Sequence, residues 1–558
     1  MLDGSRLPSM NSTEGPLLAA LALLALYVVV DKRVKSQKDD LGLLPRARGG
    51  HWFWGHEKEA WETPNFGFHT RNFEEKGQVY RMKGALFHPD ILVLADPGAI
   101  AHVFTKRCYA YSKGIVMRAL GERITGRSLF WVEGDEHKRQ HQMLAPIFTH
   151  ENVKHMSDEI NVASNKLIVS LGDHIRDSSD VKSNQGDADL AEINILKWTW
   201  KVSLDVIGSV GFGYDFRHGE DPDGRAIHES WAAMAVLGMT FPGFVAPLVL
   251  RACPWIADLP VKSIQAQGEI KTTIHRLGRK VIADRKKLED GEELNKKDLL
   301  STLIRLNGDQ PLELLLDQIC VFSTAGNETV SEAVNYTLYY LAHHKSAQDR
   351  LRQELRDHSA EPTYEDFQLR LPYLDAVCKE ALRLCPPLSH VERIATEDDI
   401  IPLRFPITNP RTGEPMTSFR IRKGQTFLVH SMPISRQKSI WGDDADDFKP
   451  HRWLPSGSVH QDDGPVSPLP PQSSLPQGWG GTLAFSEGPR KCIGERFGLF
   501  EYKVILSKLI NAFEFLPSAT APSGGKIEIF HSTMSEPFIV GRLDLGAQIP
   551  LRIRFAAE

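Results

Sequence analysis

No two of the six cysteines form a C-x-x-C pair; Cys108, Cys253, Cys320, Cys378, Cys385 and Cys492 are widely spaced. That spacing argues against a disulfide framework or a zinc site, and for a reducing compartment. An excess of charge of one sign is also missing. A formal net charge of -5 over 558 residues gives no basic surplus, so no nucleic-acid partner is expected. No internal repeat divides the chain. Long apolar runs are nearly absent: residues 16–30, Pro-Leu-Leu-Ala-Ala-Leu-Ala-Leu-Leu-Ala-Leu-Tyr-Val-Val-Val, form the one near the N-terminus. A spanning helix needs about 20 apolar residues, so this run must tilt or thin the bilayer. No small-x-small cleavage site follows it, which favours a retained anchor over a signal peptide. Residues 1–35 are therefore expected to be a membrane anchor. Lys32, Arg33, Lys35 and Lys38 would keep the body of the protein on the cytoplasmic side.

What is present reads as a stiff basic linker over 36–50 and then one large unit, 51–558. Val79-Tyr80-Arg81-Met82 and Ile91-Leu92-Val93-Leu94 predict a β-hairpin. Asp96-Pro97 predicts a capped helix start. A basic helix is expected within 127–148, and an apolar but proline-broken region over 234–260. Residues 299–344 have one long helical pattern with Gly326 at its middle, and 379–384 a second, ended by Cys385-Pro386-Pro387. Strands alternate over 393–429 around the turn Asn409-Pro410-Arg411-Thr412-Gly413. Residues 456–477, rich in Pro, Ser, Gly and Asp, read as a surface insertion.

The chemistry centres on Phe485-Ser486-Glu487-Gly488-Pro489-Arg490-Lys491-Cys492-Ile493-Gly494. A cysteine between glycines, close to a helix start, suits a soft-metal thiolate ligand, with Gly488 and Gly494 allowing close backbone approach. Inside the long helix stands Ala325-Gly326-Asn327-Glu328-Thr329, where glycine costs about 1 kcal/mol relative to alanine. A small residue there can let a ligand lie against the helix, and an acid beside an alcohol can relay protons. Glu380-Ala381-Leu382-Arg383 places opposite charges on one face of a helix. The apolar neighbours Val377, Leu382 and Leu384 suggest that this face is partly buried.

All ten positions of the cysteine stretch match Phe-x-x-Gly-x-Arg-x-Cys-x-Gly, and the chain resembles the cytochrome P-450 family. The resemblance implies a mainly helical single catalytic domain with a smaller β region. It implies haem as cofactor, with Cys492 as axial ligand of the iron. Phe485, Arg490 and Gly494 would belong to the haem loop, and Arg393 in Val391-Glu392-Arg393 would bind a propionate. His141 would occupy the basic position of a Trp-x-x-x-Arg/His motif, with His137 in place of the tryptophan as the weaker claim. Thr329 would hydrogen-bond dioxygen, and Glu328 would join the proton path. Glu380 and Arg383, with Arg452 of Phe448-Lys449-Pro450-His451-Arg452-Trp453, would form a structural triad holding the cysteine loop. The 234–260 region would be a lid that dips into the membrane.

The activity expected from the resemblance is monooxygenation, with one oxygen atom of O2 inserted into a lipophilic substrate. No flavin or iron–sulfur domain follows, so electrons are expected from NADPH through a separate cytochrome P-450 reductase. The expected location is the endoplasmic reticulum membrane, with lipid as a partner. A haem-thiolate isomerase or dehydratase is a second reading, disfavoured by Glu328 with Thr329, and a non-catalytic membrane haem protein is a third. Pocket-lining stretches, including 109–130, 322–325, 388–394 and 531–537, look apolar with few charges near the centre. They imply a bulky apolar substrate, a terpenoid or related secondary metabolite, and the motif wording resembles fungal members.

Overall fold

The computed structural model describes residues 39–182, 190–258, 268–287, 299–308, 310–358, 360–455, 464–531 and 534–557. The expected anchor over 1–35 lies outside them, as does the end of the proline-broken region. Among the described residues no single helix is long and apolar enough to cross a membrane.

Helices dominate, and one organises the rest. Leu312–His343 runs 32 residues through the core and is buried along most of its length. A helix apolar on nearly every side must be covered on every side. Leu196–Phe212, Glu495–Ala512 and Glu269–Lys287 pack against it. The pattern over 299–344 is not continuous. Leu299–Asn307 forms its own helix, and the chain turns at Gly308, with φ at +52°, and at Pro311 before the long helix starts. A left-handed glycine and a proline end the helical repeat where hydrophobic periodicity alone does not.

Among the described residues there are twelve strands: β1 Val79–Met82, β2 Ile91–Leu94, β3 Tyr111–Lys113, β4 Ala191–Asn194, β5 His390–Ala395, β6 Asp399–Thr408, β7 Pro415–Ile421, β8 Thr426–His430, β9 Phe513–Pro517, β10 Ile527–His531, β11 Ser535–Ile539 and β12 Pro550–Phe555. One sheet has the order β1-β2-β8-β5-β3, and β4-β12-β9 form a second. The expected hairpin is β1–β2, paired Val79 to Leu94, and the Asn409 turn joins β6 to β7. Asp96 caps Pro97–Ala101, accepting from the Ala99 N–H at 2.9 Å, and also accepts from the Arg404 and Phe405 N–H groups of β6.

The basic helix occupies Gly134–Leu144 and passes into a 3-10 turn, Ala145–Phe148. The proline-broken region is two helices, Pro222–Gly238 and Phe241–Ala252, bent 86° from each other. Of the insertion, the part from residue 464 on is anchored rather than loose. The Ser467 N–H donates to Asp444 at 2.9 Å, and its carbonyl accepts from Arg452 at 3.2 Å.

Candidate functional site

The cysteine loop is held against three other elements. The Cys492 N–H donates to the Phe485 carbonyl at 2.9 Å, and the Phe485 ring meets Trp479 edge-on at 5.6 Å. Gly488 has φ at +73°, and a Cβ there would lie 2.2 Å from the Phe104 carbonyl oxygen. Its need for glycine thus comes from protein backbone, not from a cofactor. Gly494 caps the helix Glu495–Ala512, and a Cβ on it would meet nothing nearer than Phe148, at 3.9 Å. The Phe148 ring packs on Phe322 of the long helix at 5.3 Å, while a Cβ on Gly498 would stand 3.7 Å from Val330. These two contacts bring the cysteine loop alongside the turn Ala325–Thr329.

Both sides of that approach are open to solvent within otherwise buried elements. Ala325 is exposed between buried Thr324 and the rest of the helix, and Thr329 is half-buried. Solvent reaches Cys492, yet burial among protein atoms pushes its thiol up to about 11, with the Gly494 N–H working in the opposite direction. Such a thiol lines an internal cleft rather than the outer surface. The helix N-terminus does not by itself produce the thiolate; a coordinated cation would.

The turn itself departs from expectation in one respect. A Cβ on Gly326 would stand 3.1 Å from Ile207 Cδ1, so this glycine serves the close packing of the long helix on Leu196–Phe212. The cleft wall is made by Ala325 and Thr329. Thr329 Oγ1 donates to the Ala325 carbonyl at 2.7 Å. Glu328 faces elsewhere: its Oε1 accepts from the Trp200 indole N–H at 3.1 Å, and burial with the neighbouring Glu536 raises its pKa to about 8.

Beside the cleft lies a buried basic cluster. Arg490 donates to the carbonyls of Cys108 and Tyr111, each at 2.6 Å, and pairs with Glu133. Its Nε is buried with no hydrogen-bond partner among the described residues. Burial, with Arg490 nearby, lowers Arg393 to about 10, and burial lowers Lys113 to about 7. His137 donates to or accepts from Tyr109 OH at 3.1 Å. Burial together with Lys113 and Arg490 holds it near 3, so it is neutral at pH 7. His141 is half-buried, its ring 5.7 Å from that of His137, and burial alone lowers its pKa. His137, the weaker expectation, is thus the one whose pKa responds to the arginines.

The third group is the ion trio. Glu380 and Arg383 are fully buried and paired twice, Nε to Oε2 and Nη2 to Oε1, both at 2.9 Å. Arg452 Nε reaches Glu380 Oε1 at 3.1 Å, and Trp453 Nε1 reaches Oε2 at 2.9 Å. Against burial, Arg383 and Arg452 hold the carboxylate below its usual range. Arg383 also donates to the carbonyls of Ser435 and Ala445, at 2.7 and 2.6 Å, and so clamps the segments around the trio.

A family model described as Cytochrome P450 matches residues 45–526. The chain belongs to the cytochrome P450 family. Cytochrome P450 monooxygenase claQ of Ampulloclitocybe clavipes is 31% identical over 494 residues, covering 86% of each chain. Cytochrome P450 monooxygenase 205 of Postia placenta is 29% identical over 569 residues, covering 98% of this chain and 99% of its own. The protein is a haem-thiolate monooxygenase with a mostly helical single-domain fold.

The residues of this P450 fit haem. Its two propionates need cationic partners, and Arg490, Arg393 and Lys113 supply a buried positive surplus against Glu133. The unpartnered Arg490 Nε is a further donor for such an anion. Glu133, Lys113 and Tyr109 carry no motif of their own in the sequence; only proximity to Arg490 marks them. Glu501 was equally silent, a carboxyl in an apolar helix, buried and pushed well above the usual range. Burial raises Glu392 and Glu536 to about 7 each, so acids stand within the stretches 388–394 and 531–537.

Proposed function

We propose that the Cys492 thiolate holds the haem iron and that Arg490 and Arg393, with His137 and His141 beside them, hold its propionates. The observation that carries this reading is the cysteine loop set against the Ala325–Thr329 turn through Gly498 and Val330. Haem bound there supplies the reductive activation of O2. The protein's own part is positioning and proton supply. The Thr329 hydroxyl donates a hydrogen bond to the Ala325 carbonyl, which leaves its own lone pairs to accept from water in the cleft. Glu328, protonated at neutral pH, is the nearby store of a proton and delivers it through water. Glu380, Arg383 and Arg452 keep the cysteine loop in place.

The substrate in this reading is a bulky lipophilic molecule of the terpenoid or secondary-metabolite kind, and a separate NADPH-dependent reductase supplies the electrons. Residues 1–35 anchor the chain, with the 51–558 domain on the cytoplasmic face of the endoplasmic reticulum. A second lipid contact is supported by the bent helix pair. Its joint exposes Val236, Leu237 and Phe241, and Trp54 packs edge-on to Phe241 at 5.6 Å. Arg251 ties the second helix to Glu57 by two bonds of 2.8 and 2.7 Å. The test is co-expression with a reductase and a panel of lipophilic compounds, with NADPH consumption and oxygenated products read together. Products without NADPH use would overturn the reductase. Removing residues 1–35 should release much of the protein from membranes, and a freely soluble full-length chain would overturn the anchor.

A further inference from the structure

The insertion carries a pattern that the haem site does not use. Residues 465–471 read Pro-Val-Ser-Pro-Leu-Pro-Pro, and they form neither helix nor strand. A proline ring fixes φ at about −65°, so four of the seven positions are set by covalent geometry. Ser467, Leu469 and Pro470 each precede a proline, which pushes them to extended backbone as well. Pro471 stands at φ −54° and ψ 136°. A chain so constrained, with no ladder to join, is a polyproline II helix of three residues per turn.

Exposure follows that period. Pro465, Pro468 and Pro471, three residues apart, are all exposed. The edge formed by Ser467 and Pro470 faces the protein: Pro470 is buried, and a Cβ on Gly442 would collide with Ser467 Oγ. Leu469 stands beside the proline edge and is 42% exposed. With a rise of about 3.1 Å per residue, successive prolines on the outer edge lie about 9 Å apart.

The segment is also held rigid. Lys449 Nζ donates to the Pro465 carbonyl at 2.8 Å, which adds to the two backbone bonds of Ser467. Beyond it the Ser474 N–H donates to the Pro471 carbonyl at 2.8 Å, and Leu475 is buried with Trp441 and Ala445. A fixed polyproline edge loses little entropy when a partner's groove closes on it. Its border is acidic. Asp444 accepts from the Ser467 N–H, Asp447 lies 3.5 Å from Lys449 Nζ, and Asp443 follows Gly442. Asp443 and Asp447 are exposed.

We propose that the outer edge formed by Pro465, Pro468 and Pro471 is a docking site for a polyproline-recognition domain, one with an aromatic-lined groove and a basic rim. Aromatic slots take the proline rings, and the rim answers Asp443 and Asp447. This partner is additional to the electron donor, and the site does not depend on the haem reading.

The test immobilises the full-length holoenzyme in lipid nanodiscs and titrates it with a panel of purified Src-homology 3 and WW domains. At least one domain with a basic rim should bind, and more weakly at about 1 M than at about 0.1 M salt. The double variant Pro468→Ala, Pro471→Ala should lose about tenfold or more in affinity, the value of a truncated interface anchor. Gln472→Ala, past the end of the extended segment, should bind like the wild type. A free peptide of residues 464–472 should displace the domain from the wild type. The carbon monoxide spectrum is recorded on every sample, and a double variant that loses the thiolate band leaves the peptide arm to decide. No binding by any domain, equal affinity of the double variant and the wild type, an equal loss in Gln472→Ala, or no displacement by the peptide overturns the proposal. Binding indifferent to salt overturns the basic rim.

Discussion

The Trp200 indole and the Glu328 carboxyl are joined at 3.1 Å, and that bond turns the acid of the Glu328-Thr329 pair away from the cleft. Adjacent residues on a helix diverge by about 100°, so both side chains could not face the same point. Thr329→Ala should therefore leave haem binding intact and divert reducing equivalents to hydrogen peroxide. A positioned group in a proton path contributes about 100-fold or more, so losing the hydroxyl that orders the water should lower product formed per NADPH well beyond assay error. Glu328→Gln should slow turnover with less peroxide, because an amide still accepts from Trp200 and orders water. Unchanged coupling in Thr329→Ala would remove this helix from proton delivery and reopen the isomerase reading.

Ligation is tested by Cys492→Ser. The reduced wild type with carbon monoxide should show the red-shifted Soret band of thiolate-bound haem, and the variant should lose it. Survival of that band would assign the iron to another residue.

The buried trio should be costly to break from one side. Glu380→Gln leaves Arg383, whose side chain is fully buried, without a counter-charge, and leaves the equally buried Arg452 with Asp444 alone, at 3.4 Å. Removing one member of such a group costs about 3–5 kcal/mol, so denaturant midpoint and haem content should both fall. An unchanged midpoint would mean that the backbone carbonyls of Ser435, Ala445 and Asp444 already satisfy the arginines.

Gly488→Ala should fail more simply. Positive φ and a 2.2 Å approach to Phe104 oxygen leave no room for a Cβ. The expected result is loss of haem incorporation with retained far-ultraviolet circular dichroism; normal haem loading would show that the loop can shift.

Buried carboxyls give stability a pH dependence. Burial raises Glu328 to about 8 and Glu536 to about 7, so the folded protein holds protons that the unfolded chain releases near pH 4 to 5. Their contribution is complete below that range and is lost as pH rises through 7 and 8. His69 and His390, buried neutral near 3 and 4, act oppositely on the acid side, as their unfolded forms protonate near 6.5. The comparison therefore takes the difference between Glu536→Gln and the wild type from about pH 5 to 7, where the histidine contribution common to both cancels. Over that range the melting temperature of Glu536→Gln should gain on that of the wild type as pH rises; parallel profiles would mean that burial does not raise Glu536.

By itself the sequence determined the family and the cofactor, because those rest on contiguous residues whose chemistry does not depend on distant partners. Phe485 to Gly494, Ala325 to Thr329 and Glu380 to Arg383 are each local patterns, and each sits where its pattern placed it. Strand alternation and proline breaks likewise located the β1–β2 hairpin and the bend near Phe241. Tertiary structure decided what these residues face. Gly326 meets Ile207 and Gly488 meets Phe104, so two glycines that suggested ligand contact are needed by packing across 119 and 384 residues of chain. Glu133 and Lys113 acquire meaning only where folding sets them beside Arg490, and Glu536 only where a hairpin crosses the long helix. The physical reason is that a carboxyl's protonation and a cation's partner are fixed by desolvation and by charges a few ångströms away. Those distances arise from the packing of elements far apart in the chain.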